Sequence, residues 1–310
     1  MKMKKIIAVL AMMSMMAVAA TGCANTKDEE TSDTQTEETT GDEDAVSEWD
    51  SSSDISIISR EDGSGTRGAF IELFGIEVKE GDEKVDKTTE EAQITNSTSV
   101  MMTTVAGDEY AIGYISLGSL DDSVKAVKID GAEATAENVK AGTYKVSRPF
   151  NIAVKPDLDN EVAKDFITFI LSTEGQAVIE DNGYIALDDT EAYAGTKPSG
   201  KAVVGGSSSV SSVMEKLIEA YKEVNPNAEI ELQTSDSTTG MTSTIDGNYD
   251  IGMASRALKD EEAAELEGTV ITTDGIAVIV NNSSPVEELS TEQVFAIYTG
   301  EALTWDEVIE

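Results

Sequence analysis

The stretch Ile55 to Phe70, ISIISREDGSGTRGAF, constrains this chain most. It runs from a short β-branched segment through a charged, Gly-rich turn into a helical pattern. Ile55, Ile57 and Ile58, bounded by turn formers, read as a buried strand. Gly63 and Gly65 bracket Ser64, so the backbone there can take positive φ and approach a ligand closely. Ser64 or Thr66 can cap a helix from about Arg67 to Phe74, with Gly75 just past its end. Such a helix start carries roughly half a positive charge and favours anions. Arg60 adds a planar, permanently charged fork that Asp62, two residues on, can hold. An ordinary solvated strand-to-helix turn would need many of the same residues, so the motif does not decide alone.

Two further junctions share its construction. Ala202 to Gly206 breaks into Ser207, Ser208 and Ser209 before a strongly periodic helix. Glu229 to Thr234 breaks into Ser235, Asp236, Ser237, Thr238, Thr239 and Gly240 before another. Three strand-hydroxyl-helix junctions could aim several N–H and O–H donors at one oxyanion.

Composition narrows the chemistry. The chain has no His, which excludes Ser-His-Asp and Cys-His catalysis and His-based metal sites. Its one Cys excludes an internal disulfide and a thiolate cage. A net charge of −38 opposes nucleic acid and anionic lipid at long range, so an anion site must work locally. Lys2, Lys4 and Lys5 precede an apolar run from Ile6 to Ala20 that closes on Thr21, Gly22 and Cys23. That is the layout of a secretory signal over residues 1–22, too short to span a membrane comfortably. Cys23 directly after Ala20-Thr21-Gly22 resembles a lipobox, and a diacylated cysteine would anchor the chain to a membrane. Residues 23–53, acidic and nearly devoid of apolar side chains, should form an extended tether.

Strand and helix patterns alternate through the remaining chain, which predicts an α/β fold with predominantly parallel sheets. Glu77 to Glu91 reads as a polar loop with irregular helix. Asn96 to Gly107 reads as a helix whose hydroxyl-rich start could line a cleft, although solvated capping is the favoured reading. Phe150 to Val154 is a strand after an X-Pro hinge at Tyr144 to Pro149. The helices Glu161 to Ser172, Glu174 to Asp181 and Val210 to Val224 carry core stripes. Asp188 to Gly200 is a linker, and Thr269 to Val280 is an extended run interrupted at Asp274-Gly275.

ISREDGSGTRGAF, together with DIGMASR at Asp250 to Arg256, IGYISLG at Ile112 to Gly118 and SRPFNIAVK at Ser147 to Lys155, resembles the phosphate-binding protein of the bacterial phosphate ABC importer, the PstS-like family. The likeness covers about residues 54–310. It implies a two-lobed type II periplasmic-binding-protein-like fold. Family chains begin with the GSSSV-like segment, whereas here the second half comes first, so a circular permutation is implied. Lobe A would hold residues 54–146 plus 275–310, and lobe B residues 147–274, with the Ile55 and Trp305 segments adjacent in space.

The resemblance also implies phosphate contacts at Arg60, Ser64, Gly65, Thr66, Ser209, Val210 and Ser237, with Asp62 orienting Arg60. Ser255 and Arg256 stand where the family carries its proton-accepting aspartate, and Asp236 could supply that acceptor instead. The implied protein is not an enzyme and needs no cofactor or metal. It would be a lipid-anchored, extracytoplasmic monomer that captures inorganic phosphate for an ABC permease and ATPase and binds no nucleic acid. Another oxyanion such as sulfate, a sensor role, and a phosphoryl-transfer enzyme using Ser64 or Ser208 remain the alternatives. For the last, no lysine adjoins either serine in sequence.

Overall fold

A computed structural model describes residues 49–81 and 83–309. The expected leader, Cys23 and the tether up to residue 48 lie outside the described residues. In order, the chain forms β1 (Ser56–Arg60), α1 (Gly65–Leu73), β2 (Glu77–Glu80), β3 (Glu83–Asp86), β4 (Gln93–Thr95), α2 (Thr98–Ala106), β5 (Ala111–Ser116), β6 (Lys125–Ala126), β7 (Lys128–Ile129) and α3 (Ala136–Lys140). There follow β8 (Ser147–Val154), α4 (Glu161–Ile170), α5 (Thr173–Asp181), β9 (Gly200–Ser207), α6 (Ser208–Val224), β10 (Ala228–Ser235) and α7 (Ser237–Ile245). The last are β11 (Ile251–Ala254), α8 (Asp260–Ala263), β12 (Glu267–Val280), β13 (Glu288–Leu289) and α9 (Thr291–Thr299).

One sheet organises these elements, in the order β10-β9-β11-β8-β12-β5-β1-β4 with β6 also on β12. The sheet is mixed rather than predominantly parallel. β10, β9 and β11 pair in parallel, as do β5, β1 and β4, while β8 and β12 join the two flanks antiparallel. β12 is the seam. Its first part, Glu267 to Gly275, pairs with β8, and its last part, Ile276 to Val280, pairs with β5. The expected interruption at Asp274-Gly275 is therefore an unbroken strand that changes partner. The expected hinge around Pro149 likewise lies inside β8, where Pro149 stands opposite Thr273. The polar stretch after α1 is a β2–β3 hairpin rather than a loop with helix: Val78 and Val85 pair across it.

Apolar packing follows the seam. Phe70, Tyr114, Tyr298 and Trp305 belong to one cluster that takes residues up to Val146 and from Ile276 onward. Phe70 stacks on Tyr114 with ring centroids 3.9 Å apart. Met101, Ile115 and Ile279 fill the other face of that half. Phe150, Phe166, Val210, Leu217 and Ile271 form a second large cluster drawn from residues 150–271. Burial of a side chain of this size contributes about 1.5–3 kcal/mol, so each half has a core of its own.

The described chain begins already docked. Trp49 packs on Tyr110 and Trp305, with centroids 5.6 and 5.9 Å away. Ser53 O accepts from Trp305 N, and Ile55 N donates to Leu303 O at 2.8 Å. The tether's last residues, Trp49 to Ser53, thus belong to the folded body. The α9 terminus shows why sequence punctuation works: Gly300 takes φ 75°, and its N–H bonds the helix carbonyls.

Candidate functional site

Four helices start at one place. α1 starts at Gly65 with Ser64 as N-cap, and α2 at Thr98 with Ser97 as N-cap. α6 starts at Ser208 directly from β9, and α7 at Ser237 with Asp236 as N-cap. Their first turns are tied together by hydroxyls. Thr66 Oγ1 lies 2.8 Å from Ser209 Oγ and 3.2 Å from Ser255 Oγ, and Thr98 Oγ1 lies 3.2 Å from Ser209 Oγ. Thr98 N donates to Ser208 Oγ at 3.3 Å, and Ser255 N donates to Ser237 Oγ at 3.1 Å. All these side chains are buried. Helix starts leave N–H groups without intrahelical partners, and four of them pointing into one buried region make a concentrated positive field.

Close approach demands glycine here. A Cβ on Gly65 would fall 2.5 Å from Ser237 Oγ and 2.8 Å from Ser255 Oγ, and one on Gly63 would fall 2.2 Å from Asp236 Oδ1. Neither glycine takes positive φ, so the expected backbone freedom is not what they supply. They supply missing volume. Gly206 does both: its φ is 135°, and a Cβ would meet Met253 O at 2.4 Å.

Two arginines enter this hydroxyl cluster. Arg60, at the end of β1 and 2% exposed, donates through Nε and Nη2 to Glu61 at 2.8 and 2.7 Å, and through Nη2 to Ser208 Oγ at 3.1 Å. Its Nη1 is buried with no hydrogen-bond partner among the described residues. An unmatched donor on a buried charge costs more than the ~1–3 kcal/mol of a neutral one. Arg148, equally buried, donates from Nη2 to Thr66 Oγ1 at 3.0 Å and from Nε to Ser255 O at 3.0 Å. Its Nη1 lies 3.0 Å from Asp274 Oδ2. Burial pushes the Asp274 carboxyl up, with Arg148 pulling it back. Burial also raises the Tyr114 phenol to about 12. Its OH accepts from Arg60 N at 3.2 Å and fixes the end of β1 behind the guanidinium.

The structure brings Arg60, Gly65, Thr66, Ser209, Ser237 and Ser255 together. Ser64 adjoins them as the cap, its Oγ accepting from Arg67 N. Four expectations change. Asp62 does not orient Arg60: its side chain is 98% exposed and pairs with Arg67 Nη1 at 3.0 Å, while Glu61 holds Arg60. The Val210 side chain is core, so only its backbone could serve a ligand. Asp236 serves as the α7 cap, Oδ1 accepting from Thr239 N at 2.8 Å and Oδ2 from its hydroxyl at 2.5 Å, and bonds none of the cluster hydroxyls among the described residues. Arg256 is engaged by Glu262 at 2.7 Å on both Nη atoms. Bonds from Arg256 and Lys259 N outweigh burial and hold the Glu262 carboxyl low.

Thr98, Ser208, Glu61, Arg148 and Asp274 complete the site. The hydroxyl-rich start of α2 was a visible signal for Thr98, and the run of serines before α6 for Ser208. Nothing local marked Arg148, which needs β12 as its partner. Neither Ser64 nor Ser208 hydrogen-bonds to a lysine or a carboxylate among the described residues. A cavity of about 500 Å³ shares Thr98 and Ser208 with the cluster and is lined further by Ser119, Tyr184, Ser212 and Lys216. Ser119 Oγ donates to Ser212 Oγ at 3.2 Å across it.

The described residues contain no helix long and apolar enough to cross a membrane. A family model described as a PBP superfamily domain matches residues 4–174 and 191–309. Phosphate-binding protein PstS 2 of Streptococcus agalactiae serotype V is 58% identical over 256 residues, 82% of this chain and 87% of that protein. The PstS 2 of Streptococcus pneumoniae serotype 4 is 46% identical over 269 residues, 86% of this chain and 92% of that one. A crystal structure of a phosphate ABC transporter phosphate-binding protein from S. pneumoniae TIGR4 superposes with a TM-score of 0.66 at 46% identity, covering 83% of this chain and 100% of its own.

Proposed function

Since the chain belongs to the PBP superfamily and, within it, to the PstS-type phosphate-binding proteins, we propose that it captures inorganic phosphate in the hydroxyl cluster and delivers it to an ABC importer. One observation carries the reading: four helix starts converge on buried hydroxyls around Arg60, whose Nη1 has no hydrogen-bond partner there. A tetrahedral oxyanion offers acceptors on every side, which matches a site built from N–H, O–H and guanidinium donors. Phosphate contacts fall to Arg60, Gly65, Thr66, Ser209 and Ser237, with Ser64 and the Val210 backbone at the rim. The alternative of a serine nucleophile gains no support from Ser64 or Ser208, whose hydrogen bonds include no base.

The two packed halves act as lobes A and B, with β8 and β12 crossing between them. Contacts such as Thr66 to Ser209 and Thr238 N to Gly63 O join opposite halves, so ligand contacts to both would favour the closed state. Relative to chains that begin with the GSSSV-like segment, this one is circularly permuted, a reading supported by the contact between the Ile55 and Leu303 segments. Cys23 carries the lipid anchor and keeps the protein on the extracytoplasmic face of the membrane. Replacing it with Ser would release the protein from the membrane fraction.

Titration calorimetry of wild type and Arg60→Ala with phosphate tests the site. Loss of a desolvated charge partner costs about 2–5 kcal/mol, so affinity should drop about thirtyfold or more. Unchanged binding would remove Arg60 from the site. Sulfate belongs in the same experiment, for a specific reason: no carboxylate hydrogen-bonds to the cluster hydroxyls among the described residues, and Asp236 is engaged by Thr239. A carboxylate acceptor is what would repel an unprotonated anion. Strong sulfate competition would favour the wider oxyanion reading.

A further inference from the structure

We propose that Arg148 is a positioning residue of the oxyanion site, fixing the Thr66 hydroxyl as a hydrogen-bond donor, and that Asp274 in turn fixes Arg148. The inference rests on the oxyanion reading of the hydroxyl cluster. Its starting point is hydrogen-bond polarity. A guanidinium can only donate, whereas a hydroxyl has one proton and two lone pairs. At 3.0 Å from Arg148 Nη2, Thr66 Oγ1 must therefore accept. Its single proton is then directed to the remaining neighbours, Ser209 Oγ at 2.8 Å, Ser255 Oγ at 3.2 Å, or an anion among them. Ser208 on the facing helix is treated alike. Its oxygen lies within reach of two obligate donors, Arg60 Nη2 at 3.1 Å and Thr98 N at 3.3 Å, so its own proton is left to give.

Arg148 is rigidly placed for this task. It stands opposite Asp274 in the β8–β12 ladder. Besides its ion pair with Asp274 and its bond to Thr66, it donates to Ser255 O and Gly275 O at 3.0 and 3.1 Å. Its Cζ sits 5.1 Å from the centre of the Phe150 ring, two residues along the same face. One buried side chain thus ties the start of α1, the end of β11 and the place where β12 changes partner.

A double-mutant cycle by phosphate calorimetry on the full chain decides it, with melting curves taken without phosphate. The variants are Thr66→Val, the paired Arg148→Gln/Asp274→Asn, which leaves no lone buried charge, and all three changes together. Thr66→Val and the paired change should each weaken phosphate about tenfold, the worth of one hydrogen bond to a charged partner. Because both act through one hydroxyl, the triple variant should be no weaker than the weaker of the two. Wild-type affinity in the paired variant, or losses that multiply in the triple, would overturn the proposal. Should the paired variant melt too early to titrate, Arg148→Lys enters the same cycle with the same two outcomes. A wild type that binds no phosphate would instead overturn the oxyanion reading itself, and this inference with it.

Discussion

Ile55 N donates to Leu303 O at 2.8 Å, joining residues 248 positions apart at the two edges of the described chain. Asp54 and Thr304 extend this contact as an antiparallel bridge, and Asp306 N bonds Ser51 O at 2.7 Å. Linking residue 309 to residue 49 and opening new ends within residues 189–192 should therefore give a chain that still folds and binds phosphate. That stretch has no helix or strand, and ends close in space make such a join cheap. Circular dichroism and phosphate calorimetry of the rearranged chain check this; a molten or inactive product would count against the permuted reading.

Gly65→Ala should separate folding from binding. Alanine suits the first position of α1, and Gly65 does not take positive φ. Its Cβ, however, would intrude on Ser237 and Ser255 from the opposite half. The variant should keep its melting temperature without phosphate to within a few degrees, yet bind phosphate at least about tenfold more weakly, since an overpacked contact costs about 1–3 kcal/mol. Equal affinity would show that the two halves do not need this approach.

The sequence and the structure agree where chemistry is local and part where partners are distant. Ser97, Ser290 and Gly300 end their helices as hydroxyl and glycine punctuation implies, because caps involve only neighbouring residues. The REDGSGT turn does bring its residues to the other two junctions: Arg60 meets Ser208, Thr66 meets Ser209 and Gly65 lies against Ser237. Which acid holds Arg60 could not be read from spacing: Glu61 and Asp62 both lie within reach along the chain, and β1 ends so that Glu61 turns to the guanidinium while Asp62 faces water. Arg148 and Asp274 were opaque for a different reason. They are 126 residues apart, and only the β8–β12 register makes them one unit.

Asp165 carries a pH-dependent share of stability. This α4 residue is 5% exposed, and its carboxylate accepts from Tyr193 OH and Tyr221 OH at 2.6 Å each, and from Thr196 N and Lys197 N at 2.6 and 3.3 Å. Burial alone would raise its pKa, but these four donors outweigh it and hold the carboxyl below its ordinary range. They also pin the segment that leads into β9. A depressed folded pKa means stability that is fully present above the unfolded value of about 3.9 and is lost as pH falls through the folded value. Asp165→Asn should cost about 2–3 kcal/mol at about pH 7, where charged hydrogen bonds are replaced by neutral ones. The gap between variant and wild type should shrink as pH is lowered to about 3, below the unfolded value of about 3.9, because the unfolded wild type then gains a proton that the folded protein resists. Urea unfolding of both proteins at these two pH values measures it, and a gap that stays constant or widens in acid would mean that Asp165 is not held ionised by its tyrosines.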